Sequence, residues 1–164
     1  MRPCLRKRRR RSFDVASLIR RLASVPPDRL ERLAEIHRLA FASTSWGWSG
    51  GEIGALADAG AIFADDDDRA FALFSLVLDE AELLTVAVDP TRHRQGLARA
   101  TLGAAEAALA TGGVKTIHLE VAADNVAAIS LYQTLDYRIT GRRKAYYRRA
   151  DGDRVDAVTM AKSF

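Results

Sequence analysis

The feature that most constrains this 164-residue chain is a change of hydrophobic period between residues 82 and 113. Glu82 to Val88 reads as a short apolar strand that closes on Asp89-Pro90. A loop of Arg92, His93, Arg94 and Gln95 breaks at Gly96, and an alanine-rich helical pattern then runs to Ala110. Thr111-Gly112-Gly113 supplies the stop. Free amides and the positive dipole end at the start of such a helix suit an anion such as a phosphate. Gly96 lets the backbone approach a ligand closely, and Ala98 keeps the first turn uncrowded. The loop has neither the Gly-Lys-Ser/Thr of a Walker loop nor the full Rossmann glycine pattern. Taken alone, it could equally be an ordinary surface loop.

The rest of the chain alternates in the same way. Asp28 to Phe41 repeats apolar residues at helical spacing behind a Pro26-Pro27-Asp28 start signal. A Ser/Trp/Gly-rich loop, Ser43 to Gly51, leads to a shorter helix around Glu52 to Ala59, which Gly60 ends. Ala61 to Ala64 reads as a strand. The four acids Asp65 to Asp68 read as a solvated hairpin turn rather than a metal site. Arg69 to Leu78 and Glu82 to Val88 form a hairpin, and Val114 to Ala122 is a strand with Ile117, Leu119 and Val121 on one face. Asp124-Asn125 caps a helix to Leu135, and Tyr137 to Arg143 and Val155 to Ala161 read as two final strands. One domain, α/β or α+β, accommodates all of this.

Charge and cysteine usage narrow the setting. The net charge is +4, yet residues 1 to 11 hold seven Arg/Lys and no acid, so residues 12 to 164 carry 4 − 7 = −3. Basicity is therefore a property of the tail. Residues 1–24 are expected to be a disordered basic extension, and 25–164 the folded domain. The tail could also meet nucleic acid or serve as a transit peptide. One cysteine, Cys4, excludes an internal disulfide framework and suits a reducing cytoplasm, and no Cys/His cluster has zinc spacing. The longest apolar runs, such as Ala70 to Leu78, are too short to span a bilayer.

Strand, Asp-Pro turn, basic-Gly-x-Ala loop and helix are followed by "IHLEV", "NVAAISLY" and "LDY". This order resembles the GCN5-related N-acetyltransferase (GNAT) family. "AELLTVAVDP", "LEVAADNVAAISLYQTL" and "GRRKAYY" are similar more narrowly to the bacterial ribosomal-protein-alanine N-acetyltransferases, whose Pro-Trp-Ser loop is echoed by Trp48-Ser49. The resemblance implies a GNAT fold: a mixed, twisted sheet of six or seven strands, helices on both faces, and a splayed central strand pair. It implies acetyl-CoA as cosubstrate and no metal. The backbone of Val86, Ala87 and Val88 would pair with the pantetheine arm. Arg94, Gln95, Gly96, Leu97, Ala98 and Arg99 would wrap the pyrophosphate, with Asn125 also on the cofactor. Glu120 matches the family's general base and Tyr132 its general acid; Trp48, Tyr146 and Tyr147 would line a peptide groove. The implied acceptor is a protein N-terminal α-amine, of a ribosomal protein.

Each residue also has a plainer reading. Glu120 alternates with core positions, as a solvent-facing strand glutamate would, and Tyr132 would suit a half-buried helix aromatic. Asn125 has an independent capping role; Trp48, Tyr146 and Tyr147 would serve in packing as well as in a groove. A lysine or small-amine acceptor would use the same acetyl-CoA machinery, and a ribosome- or nucleic-acid-binding module with a vestigial site is the rival of another class. The chain departs from the family pattern at His93, which stands where Gln or Arg is usual, and at Asp136, where the motif has glycine.

Overall fold

The computed structural model describes residues 19–42, 47–149 and 151–164. The basic stretch 1–11, Cys4 and the first residues of the Ser43 to Gly51 loop lie outside them. Seven strands form one sheet: β1 (Ile19–Arg21), β2 (Gly60–Asp65), β3 (Ala70–Val77), β4 (Glu80–Val88), β5 (Thr116–Ala122), β6 (Arg138–Arg148) and β7 (Arg154–Ser163). The helices are α1 (Pro27–Ala40), α2 (Gly50–Ala59), α3 (Leu97–Thr111) and α4 (Val126–Thr134). The strand order is β1-β2-β3-β4-β5-β7-β6, antiparallel throughout except for the parallel pair β4 and β5.

Local signals explain most boundaries. Pro27 opens α1 where a missing N–H costs nothing. Ser49 and Glu52 close a capping box on α2: Glu52 N–H donates to Ser49 Oγ at 3.3 Å and Ser49 N–H to Glu52 Oε2 at 2.8 Å. Gly60 joins α2 to β2 where a Cβ would lie 1.9 Å from the Phe74 carbonyl oxygen, so only glycine fits there.

Helices cover both faces of the sheet. On one face Leu33 and Ile53 of α1 and α2 pack on Ile62, Phe71 and Leu73. On the other, Leu102, Ala105 and Leu109 of α3 and Tyr132 of α4 pack on Phe63, Phe74 and Ile117. The alternation of β2 and β3 between the two cores is the period-2 pattern of strands covered on both sides. In β4 that alternation is reset: Leu73 pairs with Thr85 but Phe74 pairs with Leu83, leaving Leu84 as a bulge.

Three expectations need correction. The sheet begins inside the stretch assigned to the extension, because Ile19–Arg21 pairs with Phe63–Asp65 and buries Ile19. The acidic turn is not wholly solvated: Asp65 is buried and accepts from Arg69 Nε at 2.5 Å, while Asp68 accepts from Arg29 Nε at 2.6 Å. Arg69 of the turn itself and Arg29 of α1 make burial tolerable for these carboxylates. The strand expected to end at Arg143 runs on to Arg148, because a strand rich in exposed arginine shows no apolar alternation to read.

Candidate active site

The parallel pair at the centre of the sheet is joined only at its beginning. Glu80–Leu83 pairs with Thr116–Leu119; beyond that, β4 continues to Val88 and β5 to Ala122 without pairing to each other. β3 still holds β4 and β7 still holds β5 through these segments, so the opening lies between two supported strands. α3 follows the carboxyl end of β4 and α4 follows that of β5, which puts both helix N-termini at the open end. Crevices at the carboxyl ends of parallel strands are where α/β sheets take ligands.

The wall toward α3 is mostly backbone. Val86 and Val88 are half-buried and Ala87 is buried, and their register partners are Ala72, Ala70 and Phe71 on β3. A 3-10 turn, Pro90–Arg92, carries the chain out of β4, fastened by the Thr91 N–H and hydroxyl on Asp89 Oδ1, both at 2.8 Å. Arg94 at φ 59° and Gly96 at φ 77° then take left-handed conformations. A Cβ on Gly96 would meet nothing within 4 Å, so the glycine answers to its φ and leaves open space above the helix start. The first bond into α3 is Ala100 N–H to Gly96 O, at 2.9 Å. The amides of Leu97, Ala98 and Arg99 precede it and have no intrahelical carbonyl to reach. Arg92, His93, Arg94, Gln95 and Arg99 are exposed, whereas Leu97 is buried as the anchor of the turn.

The wall toward β5 is built from side chains. Leu119 and Val121 face the α3/α4 core, so Glu120 projects to the opposite face, one residue beyond the last β4–β5 pair. Its side chain is 17% exposed, and Arg143 Nη2 lies 3.0 Å from Oε1. Glu120 lies beside the Tyr146 phenol and holds it protonated, above its ordinary range. Arg143 also lies over the Tyr146 ring at 5.4 Å, and the Tyr146 and Tyr147 rings meet edge-on at 5.2 Å. Burial, with the Glu120 charge behind it, pushes the Tyr147 phenol up to about 12. Tyr147 in turn neighbours Tyr132, whose phenol is held well above the usual range mainly by burial. Tyr132 packs edge-on against Tyr137 at 5.7 Å.

Asn125 sits at the start of α4, where its Oδ1 accepts from the Ala128 N–H at 3.1 Å. Trp48 lies at the α1–α2 corner, stacked on His37 at 4.9 Å, with its backbone N–H donating to His37 Nδ1 at 3.3 Å. Of the aromatic acceptor-side candidates, Tyr146 and Tyr147 therefore meet Glu120, while the described contacts of Trp48 are with α1. Arg143 and the neighbouring Glu82, whose charge is felt at both tyrosines, were not singled out from sequence. Both lie within motifs quoted above, but their approach to Glu120 shows only when the sheet order β4-β5-β7-β6 is known. Among the described residues no group of His, Cys, Asp or Glu could hold a metal ion.

The fold and this opening define an acyltransferase class, and the family model for the Acetyltransferase (GNAT) family matches residues 30–137. The chain belongs to the GNAT family. It is similar to the [ribosomal protein bS18]-alanine N-acetyltransferase of Escherichia coli K12, 49% identical over 92 residues. That match covers 56% of this chain and 62% of that protein, so the chain spans less than two thirds of the curated relative's length. The N-alpha-acetyltransferase RimI of Mycobacterium tuberculosis is 38% identical over 83 residues, 51% of this chain and 49% of the relative. The crystal structure of the E. coli ribosomal-protein-S18-alanine N-acetyltransferase superposes with a TM-score of 0.72 at 34% identity, covering 88% of this chain and 93% of that one. Arabidopsis thaliana NAA60 in complex with acetyl-CoA shares the fold at 21% identity, with a TM-score of 0.72 over 89% of this chain and 98% of that one.

Proposed function

We propose that this chain transfers an acetyl group from acetyl-CoA to a protein N-terminal α-amine, with a ribosomal protein as the preferred acceptor. The observation that carries the reading is the position of Glu120: a carboxylate on the lip of the β4–β5 opening, with α3 amides across from it. The site suits acetyl-CoA. The unpaired part of β4 at Val86–Val88 offers strand-edge hydrogen bonds to the amides of a pantetheine arm, and the Gly96 turn with the Leu97, Ala98 and Arg99 amides suits a pyrophosphate. Acetyl-CoA supplies the thioester. Arg94, Gln95 and Arg99 add donors and charge at the exposed rim, and Asn125 borders the same end.

Glu120 accepts a proton from the acceptor ammonium, directly or through water, freeing the nitrogen lone pair to attack the acetyl carbon. The carbon–sulfur bond breaks and the Tyr132 phenol gives its proton to the departing sulfur. The second proton, shed by the new amide nitrogen, restores the phenol, while Glu120 releases the first to solvent. Burial keeps Tyr132 protonated until that moment. No covalent enzyme intermediate is needed. An α-amine titrates near ~8 against ~10.4 for lysine, so an N-terminal acceptor asks less of that base. Glu82 and Glu120 favour a cationic acceptor, and Tyr146 and Tyr147 offer aromatic surface to the residues behind it. Relatives named for alanine N-acetylation of a ribosomal protein support this choice of acceptor.

The test is acetyl-CoA turnover against N-terminal peptides, lysine peptides and small amines, with Glu120→Gln and Tyr132→Phe beside the parent. Both variants are expected to be slower on the parent's best acceptor, E120Q the more so. Parental rates in both would remove the catalytic assignment.

A further inference from the structure

Resting on the acceptor site just proposed, we infer that Asp156, a residue that does not touch Glu120, positions the acceptor side by building the bulge in β6. Arg143 pairs with Ala157 and Tyr147 with Val155, so Lys144, Ala145 and Tyr146 stand opposite Asp156 alone. In a regular strand Arg143 and Tyr146 would project from opposite faces. The two extra residues bring them to the same side, where the Arg143 guanidinium pairs with Glu120 and lies over the Tyr146 ring.

The bulge is unfavourable on its own terms. Ala145 adopts φ 51°, a left-handed conformation for a residue with a Cβ. The Asp156 carboxylate holds it there with both oxygens: Oδ1 accepts from the Ala145 N–H at 2.9 Å and Oδ2 from Arg142 Nε at 2.8 Å. Arg154 Nη1 grips the Ala145 carbonyl from the other side at 3.1 Å. The main-chain carbonyl of Asp156 also accepts from the Ala123 N–H at 2.8 Å, just past the end of β5. One residue thus ties the strand that carries Glu120 to the bulge that carries its two partners. The Ala145 amide, and then Arg142, keep the Asp156 carboxyl below its ordinary range, so the device stays charged at neutral pH.

The experiment is a double-mutant cycle on the full chain, with KM measured separately for peptide and acetyl-CoA and thermal melting as a control. Asp156→Ala should raise the peptide KM about tenfold and leave the acetyl-CoA KM within about twofold. Tyr146→Phe should add little once Asp156 is gone, because the bulge no longer presents it. Asp156→Asn keeps an acceptor oxygen for the Ala145 amide and should stay within about threefold of the parent. Equal rises in both KM values, independent multiplication of D156A and Y146F, or D156N as impaired as D156A would each overturn the inference. If D156A does not fold, Arg142→Ala removes one clamp on the same carboxylate and takes its place in the cycle; it should raise the peptide KM about threefold and be coupled to Y146F, and no coupling would overturn the inference. Glu120→Gln, run in parallel, separates the two failures. Parental turnover in E120Q removes the site reading and this inference with it. Turnover lost in E120Q alongside an uncoupled cycle removes the inference alone.

Discussion

Across the β4–β5 opening, one wall is backbone and the other is side chains. On the α3 side the features offered to a ligand are strand edges, helix-terminal amides and the left-handed Gly96, while the arginines stand out in solvent. On the β5–β6 side they are Glu120, Arg143, Tyr146 and Tyr147, brought together by an irregular edge strand. A backbone wall tolerates side-chain change and fails when a φ angle is forbidden. A side-chain wall fails residue by residue. In the function proposed above, the difference would separate binding of a common cosubstrate from activation of a particular acceptor, and it can be probed one wall at a time.

The largest expected effect is on the side-chain wall. Glu120→Gln should cut kcat by about 100-fold or more with the acetyl-CoA KM nearly unchanged, measured by thiol release. Next comes a pH effect in the α1 layer, where His37 packs on Phe41, Trp48 and Phe71. Burial depresses His37 from 6.5 to about 4, so the folded chain keeps the ring neutral while the unfolded chain protonates it. Stability is full above about pH 6.5 and is lost as pH falls from there toward about 4, by up to about 3 kcal/mol. Protonation would also remove the acceptor that His37 Nδ1 offers to the Trp48 N–H. Urea melts at pH 7.5 and 5 check this, and His37→Gln should flatten the slope. On the backbone wall, Gly96→Ala should raise the acetyl-CoA KM about tenfold and leave kcat close to parental, because a Cβ strains φ 77° without striking the protein. Arg94→Ala, a side-chain deletion beside it, should change the same KM by about threefold or less. A larger loss in R94A than in G96A would break the contrast.

The two walls were also unequally legible in the sequence. The strand, the Asp-Pro turn, Gly96 and the helix after it are local signals, and each appears in the structure within a residue or two. The Asn125 cap and the inward face of Ile117, Leu119 and Val121 were equally readable. Asp136 was expected to fill a glycine position and does so at φ 69°, so Asp136→Gly should stabilise the fold by about 0.5–1 kcal/mol. By contrast, β1 was missed because three residues, two of them arginines, carry no period. The β6 bulge was missed because its cause, Asp156, lies on the neighbouring strand β7, eleven residues on in sequence. Glu120 and Tyr132 could be proposed from motif position, but the approach of Arg143 and Glu82 to Glu120 required the register of four strands, β4-β5-β7-β6.

The most direct test uses one peptide with a free N-terminal alanine and an internal lysine, incubated with acetyl-CoA and the full chain at neutral pH. Mass-spectrometric mapping should place the acetyl group on the α-nitrogen, at a rate that collapses in Glu120→Gln. Acetylation of the lysine alone, or α-acetylation at the parental rate in E120Q, would contradict an acceptor wall built around Glu120.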